Sequence, residues 1–311
     1  MQAKVSQPIL LSIITPTFNR AAMIEQAVES ALRQDYQPVE HLIIDGGSND
    51  GTIDILAKYP HLRVIREPDE GVFDAMRKGI LMSNGAILGF LNSDDFYAPN
   101  VFSAVMNMFG QNPDLMAVSG GATVITQHGE IEQSCQYFPP VNRDGIYHRT
   151  TLGSPIFNAW FFRKEIFEEI GNLDLRYKLI ADRDFLIRFA AKMPNYACIE
   201  KNVYFYRSHL GSLTIKPKSD WESPLFQEIT DLCETYLTNK CLSEQQNRFI
   251  RLWYRKVRLE MIVAAIYKRN IFLLYLLIYL NLYCISISFC ALIILFNASL
   301  LISILIFGLF F

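Results

Sequence analysis

Short apolar runs recur along the first part of the chain, near 9–14, 40–45, 62–65, 86–91 and 115–118. Such runs, with little polar alternation, read as buried parallel strands covered on both faces. Between them the apolar period lengthens. Met23, Ala27, Val28, Ala31 and Leu32 fall on one side of a helix over about 21–33, and further helices are predicted up to 57, over 72–82 and near 100–109. Strand and helix alternate with short connections, which predicts an α/β fold: a mostly parallel, Rossmann-like sheet with helices on both faces.

Beyond residue 121 the pattern changes. Residues 122–127 and 131–137 flank a His128-Gly129 turn and read as an antiparallel pair, followed by a loop holding Pro139, Pro140 and Gly145. Residues 153–163 lead into a short helix near 164–170, for which Gly171 suits the C-terminal cap. Phe185, Leu186 and Phe189 pack a further helix, and 202–207 is a late strand. From about 221 to 270 the periodicity is helical and amphipathic, through Leu225, Ile229, Leu232 and Tyr236 and then Phe249, Leu252 and Val257. Helices of this kind lie on a membrane surface or brace a domain against one.

Residues 271–311 contain no Asp, Glu, Lys or Arg. One bilayer crossing takes about 20 residues, so this C-terminal hydrophobic tail is expected to be transmembrane, with two helices favoured over one. Arg248, Arg251, Arg255, Lys256, Arg258, Lys268 and Arg269 precede it, with Glu260 the one acid among them. That excess of basic residues predicts a cytoplasmic orientation at the inner (plasma) membrane and contact with anionic lipid. The remaining composition excludes more than it suggests. A net charge of −2 offers no field to recruit nucleic acid. The six cysteines show neither paired nor metal-site spacing and read as reduced thiols. The short polar start at 1–7 predicts no signal peptide.

Candidate chemistry gathers at the predicted strand ends. The run at 86–91 stops on Asn92-Ser93-Asp94-Asp95. Adjacent carboxylates at the carboxyl end of a strand sit where open α/β sheets bind ligands, and Mg²⁺ or Mn²⁺ often takes one or two carboxylates plus phosphate oxygens. A helix cap explains either aspartate equally well. The glycines after Asp45 permit close approach of a ligand, although a plain turn accounts for them. Asp182 sits in the first turn of its helix, where the dipole alone favours an acid. His209 by itself reads as structural. Neither GxGxxG nor GxxxxGK[ST] occurs, which argues against dinucleotide and P-loop folds.

Six segments, taken in order, carry a resemblance. They are Ile14-Thr15-Pro16-Thr17-Phe18-Asn19-Arg20, Asp45-Gly46-Gly47-Ser48-Asn49-Asp50-Gly51-Thr52, Gly71-Val72-Phe73-Asp74-Ala75-Met76-Arg77-Lys78-Gly79, Leu91-Asn92-Ser93-Asp94-Asp95, Ala181-Asp182-Arg183-Asp184-Phe185-Leu186-Ile187-Arg188 and Arg207-Ser208-His209-Leu210-Gly211-Ser212. Over about 10–213 the chain resembles the family 2 glycosyltransferases of GT-A fold, in the manner of enzymes that build bacterial exopolysaccharide, colanic acid-like or O-antigen units. The resemblance implies an inverting, metal-dependent transfer from a nucleotide diphosphate sugar to a hydroxyl of a lipid-linked (polyprenyl) or glycan acceptor. By the same resemblance Asp94 and Asp95 form the DXD-type site, with Asp94 at the ribose or metal and Asp95 on the divalent metal (Mn or Mg). His209 completes the metal or diphosphate site. Pro16, Thr17, Asn19, Arg20 and Asp45 hold the nucleoside, Lys78 and Arg77 neutralise phosphate, and Asp182 is the catalytic base.

Two departures leave the nucleotide and the acceptor open. Gly46 stands where relatives often have a second acid, and Asn158-Ala159 replaces a more polar pair. The expected domains are a catalytic one over 1–215 (a nucleotide-sugar half over about 1–120 and an acceptor half over about 121–215), a membrane-proximal helical region over 216–270, and the tail. Two other readings are a membrane-anchored, non-catalytic scaffold or binding protein and a nucleotidyltransferase.

Overall fold

The computed structural model describes residues 8–153, 155–209, 224–239 and 241–267. The expected tail at 271–311, and with it the expected membrane spans, lies outside the described residues. Among the described residues no helix is long and apolar enough to cross a membrane.

The elements run β1 (Leu11–Thr17), α1 (Ile24–Leu32), β2 (Val39–Asp45), α2 (Thr52–Leu56), β3 (Leu62–Arg66), α3 (Val72–Met82), β4 (Ile87–Phe90), β5 (Phe96–Tyr97) and α4 (Phe102–Gln111). They continue as β6 (Ala117–Thr126), β7 (Ile131–Gln136), α5 (Arg143–Thr151), a 3₁₀ turn at Phe157–Ala159, β8 (Trp160–Arg163), α6 (Glu165–Glu169), α7 (Ala181–Lys192), β9 (Tyr196–Ser208), α8 (Pro224–Asn239) and α9 (Glu244–Tyr267). Among the described residues the strands form one sheet in the order β3-β2-β1-β4-β8-β6-β9-β5, with β7 beside β6.

Strands β1 to β4 pair in parallel, as their apolar runs predict. A mostly parallel sheet ends there. β8 lies antiparallel to both β4 and β6, β6 and β9 are parallel, and β5 and β7 run antiparallel to their neighbours, so the second half is mixed. The insertion of β8 is what joins the halves. Its Trp-Phe-Phe-Arg sequence is buried at three of four positions, and a four-residue apolar stretch has too few positions to show a period. Two runs expected as separate strands, at 115–118 and 122–127, are one continuous β6, because Gly120 and Gly121 carry the chain through without a turn. Gly120 is required there, since a Cβ would stand 2.3 Å from Val203 of β9. Helix α5 replaces the expected loop; Asn142 caps it, accepting a hydrogen bond from Gly145 N.

One core cluster joins Leu11 and Ile13 of β1 to Ala27 and Ala31 of α1, to Val105 and Phe109 of α4 and to Phe161 of β8. On the other side an aromatic layer ties α7 to the sheet: Phe185 stacks on Phe167 at 4.5 Å between centroids, and Phe189 meets Phe162 and Trp160 edge-on. Offset and edge-to-face pairs of this kind each add about 0.5–1.5 kcal/mol to the burial itself. They fix where the first turn of α7 stands.

The chain divides into two compact units, residues 1–216 with 223–254 and residues 217–222 with 255–311. The first therefore extends past 215 to take in α8 and the start of α9. Leu232, Cys233 and Tyr236 of α8 are buried, and the Tyr236 hydroxyl donates to Asp184 of α7 at 2.6 Å. Of the second unit, only 255–267, the later part of α9, is described.

Candidate active site

The carboxyl ends of β1 and β4 open onto a cavity of about 330 Å³, whose lining includes Pro16, Thr17, Arg20, Asp94 and Asp182. Five expected site residues, from three segments far apart in sequence, thus share one wall system. Asn92, Asn158, Tyr206, Asp69 and Lys178 line it as well.

The turn after β4 separates its two carboxylates. Asp94 lines the cavity; its Oδ2 lies 3.1 Å from His209 Nε2 and 3.6 Å from Arg20 Nε. Asp95 points the other way and is 2 % exposed. Its carboxylate accepts hydrogen bonds from the Tyr204 hydroxyl at 2.8 Å, Asn92 Nδ2 at 3.0 Å and Arg207 N at 2.7 Å. Burial, and then the charge on Asp94, push the Asp95 carboxyl upward from the ordinary range, with the three donors pulling it back. The expectation that Asp95 faces a metal thus differs from its placement: its oxygens are spent on joining β4 to β9. That joint brings the end of β9, with Tyr206 and His209, to the side of Asp94.

Asp45 and Asn19, expected at the nucleoside, are absent from the cavity lining and instead build the loops beside it. Asp45 is fully buried and accepts from Gly47 N at 3.1 Å, Ser48 N at 3.0 Å and Ser48 Oγ at 2.5 Å, with Arg66 Nε at 3.5 Å. Gly47 and Gly51 hold φ of 98° and 95°, so this loop needs its glycines for backbone conformation. Asn19 donates its N–H to Ser48 Oγ at 2.8 Å and accepts from Asn49 N at 2.9 Å. Arg20 N donates to Thr52 Oγ1 at 2.9 Å, which completes the lacing of the two loops and holds the Arg20 backbone. Lys78 also turns away from the cavity, donating to Pro68 O at 2.6 Å beside Glu67 and Asp74. Arg77 lines a separate cleft with Arg176 and Arg188.

Asp182 stands in the first turn of α7, with Oδ1 accepting from Arg183 N at 2.7 Å. Burial raises its carboxyl above the ordinary range, opposed by the Arg183 charge and that N–H. A carboxylate moved toward neutrality is a better proton acceptor at working pH. Arg183 itself turns back into the protein, donating to Thr151 O at 3.1 Å and Gly153 O at 2.6 Å and stacking over Trp253. Asn158 is buried, and its Nδ2 donates to Asn92 Oδ1 at 3.2 Å across the cavity floor. Neither Asp69 nor Lys178 stands out in the sequence, because no local pattern distinguishes a cavity-facing Asp or Lys from a solvated one.

The donor set suits a hard divalent cation in part. Asp94, which lines the cavity, and His209, which stands behind it and is not among the lining residues, offer one carboxylate oxygen and one imidazole nitrogen 3.1 Å apart, and no cluster of three or more acidic, His or Cys side chains occurs among the described residues. A two-residue set is adequate for Mg²⁺ or Mn²⁺ when substrate phosphate oxygens complete the shell.

A "PGL/p-HBAD biosynthesis glycosyltransferase" of Mycobacterium bovis (strain BCG / Pasteur 1173P2) is 32% identical over 185 residues, covering 58% of this chain and 69% of the relative. The "Uncharacterized glycosyltransferase EpsJ" of Bacillus subtilis (strain 168) is 26% identical over 225 residues, covering 67% and 64%. Among solved structures, S. aureus TarS 1-349 in complex with UDP-GlcNAc has a TM-score of 0.61 at 17% identity, covering 80% of this chain and 72% of that one. The mannosyltransferase PcManGT from Pyrobaculum calidifontis, in complex with GDP-Man and Mn²⁺, has a TM-score of 0.57 at 17% identity, covering 96% and 81%. At that identity the likeness is one of fold, a GT-A-like α/β architecture. Residues 12–171 match the family model described as Glycosyl transferase family 2, and the chain belongs to that family.

Proposed function

We propose that this glycosyltransferase moves a sugar, with inversion, from a nucleoside diphosphate sugar to an acceptor hydroxyl, using Asp182 as general base. The observation that carries the reading is that Asp94 and Asp182 line one cavity. The complexes of structural neighbours with UDP-GlcNAc and GDP-Man support a nucleotide-sugar donor.

In this reading Pro16 and Thr17 bound the nucleotide, and Arg20 and Lys178 are the cavity's cations among the described residues. Asp94 with His209 would hold a divalent cation, Mn²⁺ or Mg²⁺, and the Mn²⁺ in the PcManGT complex supports that class. Such a cation supplies Lewis-acid neutralisation of the leaving diphosphate. Arg20 adds a positive charge on the same side, where its Nε already lies 3.6 Å from Asp94. Asp182 accepts the proton of the acceptor hydroxyl as that oxygen bonds to the anomeric carbon and the bond to the diphosphate breaks. One base and one displacement invert the configuration. Asp45, Asn19 and Asp95 act at one remove, by holding the loops and strand ends that carry these groups.

The acceptor is a lipid-linked polyprenyl or glycan hydroxyl, and the protein works on the cytoplasmic face of the plasma membrane. The basic residues between 248 and 269 and the uncharged stretch over 271–311 support that placement. The test is full-length protein incubated with a panel of nucleotide sugars and a divalent metal. Release of nucleoside diphosphate is the expected result. Release of pyrophosphate would identify a nucleotidyltransferase instead, and donor binding without any release would identify a binding protein.

A further inference from the structure

Helix α8 grips the chain on both sides of Asp182. Upstream, Glu228 uses both carboxylate oxygens on consecutive backbone donors: Lys178 N donates to Oε1 at 2.9 Å and Leu179 N to Oε2 at 2.8 Å. Downstream, the Tyr236 hydroxyl donates to Asp184 Oδ1 at 2.6 Å. Asp184 is held in turn by Arg188 at 2.8 Å, and the Arg188 guanidinium also donates to the carbonyls of Ile170, Gly171 and Asn172. The two α8 residues are two helical turns apart, about 12 Å along the axis. Asp182 falls in the span between the points they hold.

The upstream contact matters most for the cavity. Lys178, Leu179 and Asp182 all line it. Ile180, the residue before α7, supplies no side-chain cap. Glu228 fastens the two preceding N–H groups. A carboxylate receiving two backbone donors makes charge-assisted bonds, roughly twice as strong as neutral ones. With its backbone fixed, Lys178 reaches across to Glu70 at 2.8 Å, and Glu70 lies between the cavity-lining Asp69 and Gly71. That ion pair is largely exposed and contributes little by itself. The backbone clamp is therefore what sets the wall.

We infer that Glu228 is a positioning residue for the transfer reaction: through the N–H groups of Lys178 and Leu179 it sets the place of Asp182 against the sugar. The inference rests on the reading of Asp182 as the base. Glu228 bonds to the Lys178 and Leu179 backbone rather than to Asp182, and the Lys178 ammonium is already engaged by Glu70, so loss of Glu228 should act on turnover more than on the donor. A displacement of about 1 Å at a reacting group can lower the rate a hundredfold.

The experiment measures nucleoside diphosphate release by the full-length protein from UDP-GlcNAc and from GDP-mannose, with Glu228→Ala, Glu228→Gln and Asp182→Asn compared. Glu228→Ala should lower kcat about ten- to a hundredfold with donor KM within about twofold. Glu228→Gln keeps one acceptor oxygen and should recover part of the loss. Deuterium exchange at the amides of 178–179 should quicken in Glu228→Ala. A purely structural role would lower the melting temperature and the active fraction and leave kcat per active molecule unchanged. That result, or equal loss in kcat and donor affinity, overturns the positioning role while Asp182→Asn still cuts turnover by about 10²–10⁴-fold. If Asp182→Asn retains turnover, the base assignment fails first and the proposal falls with it.

Discussion

The Tyr204 hydroxyl donates to Asp95 Oδ2 at 2.8 Å, a buried bond between the middle of β9 and the turn after β4. Asn92 N donates to the same Tyr204 oxygen at 3.1 Å, so both ends of the Asn92–Asp95 turn are fastened to one phenol. Neighbouring aspartates consequently differ in task. Asp95→Ala takes this acceptor from the buried Tyr204 hydroxyl and from the Asn92 and Arg207 N–H groups, at about 1–3 kcal/mol for each that finds no other partner. Its denaturation midpoint should drop steeply. Asp94→Ala should keep the midpoint near wild type and lose metal-dependent donor binding. Paired urea titrations and calorimetry with a nucleotide sugar, with and without Mn²⁺, check both; a midpoint unmoved by Asp95→Ala would reverse the division.

Asp182→Asn should leave donor affinity near wild type and reduce turnover by about 10²–10⁴-fold, the usual share of a general base. The pH dependence has a definite sign. Burial raises the Asp182 carboxyl, and the ionised form is the competent base, so turnover should rise with pH on the acidic limb. The midpoint of that limb should lie above the ordinary aspartate value of about 3.9. Rate–pH profiles at saturating donor measure it.

His41 of β2 supplies a second pH signal, this time in stability. Its Nε2 is 2.9 Å from Thr15 Oγ1, its Nδ1 is buried with no hydrogen-bond partner among the described residues, and burial followed by the charge of His61 lowers its pKa to about 3. The unfolded chain, with a histidine pKa of about 6.5, binds this proton more readily than the folded one between those values. Stability is therefore complete above pH 6.5 and declines as pH falls toward 3, at up to about 1.4 kcal/mol per unit from this residue. Unfolding curves across that range for wild type and His41→Gln should diverge in slope, the variant being flatter.

Gly79 places α3 directly against β1. A Cβ at this position would stand 2.3 Å from Ile14 Cγ2, inside a fully buried contact. Gly79→Ala should destabilise by about 1–3 kcal/mol through overpacking, despite the better helix propensity of alanine. Combining it with Ile14→Ala should destabilise by less than the sum of the two, because the colliding methyl groups are gone. Additive values in a double-mutant cycle would mean that the helix shifts instead of clashing.

The six segments, read in order, were sufficient for the family, and the apolar runs and helical spacing for the strand-turn-helix frame of residues 11–82, since period and loop chemistry are local properties. β8, α5 and the continuity of β6 were not legible. Each depends on partners distant in the chain: Gly120 on Val203, and β8 on β4 and β6.

The linear chain by itself determined which residue types arrive at the strand ends, because each follows an apolar run of strand length. It could not determine which of them face the cavity. Asp94 and Asp95 are the same side chain one bond apart, and Asp45, Asn19 and Lys78 have the composition of ligands. Only the tertiary structure, by delivering Tyr204 and the Arg207 N–H to one aspartate and His209 to the other, decided between them. A carboxylate's task is set by the groups it faces, and here those groups come from the far end of the fold.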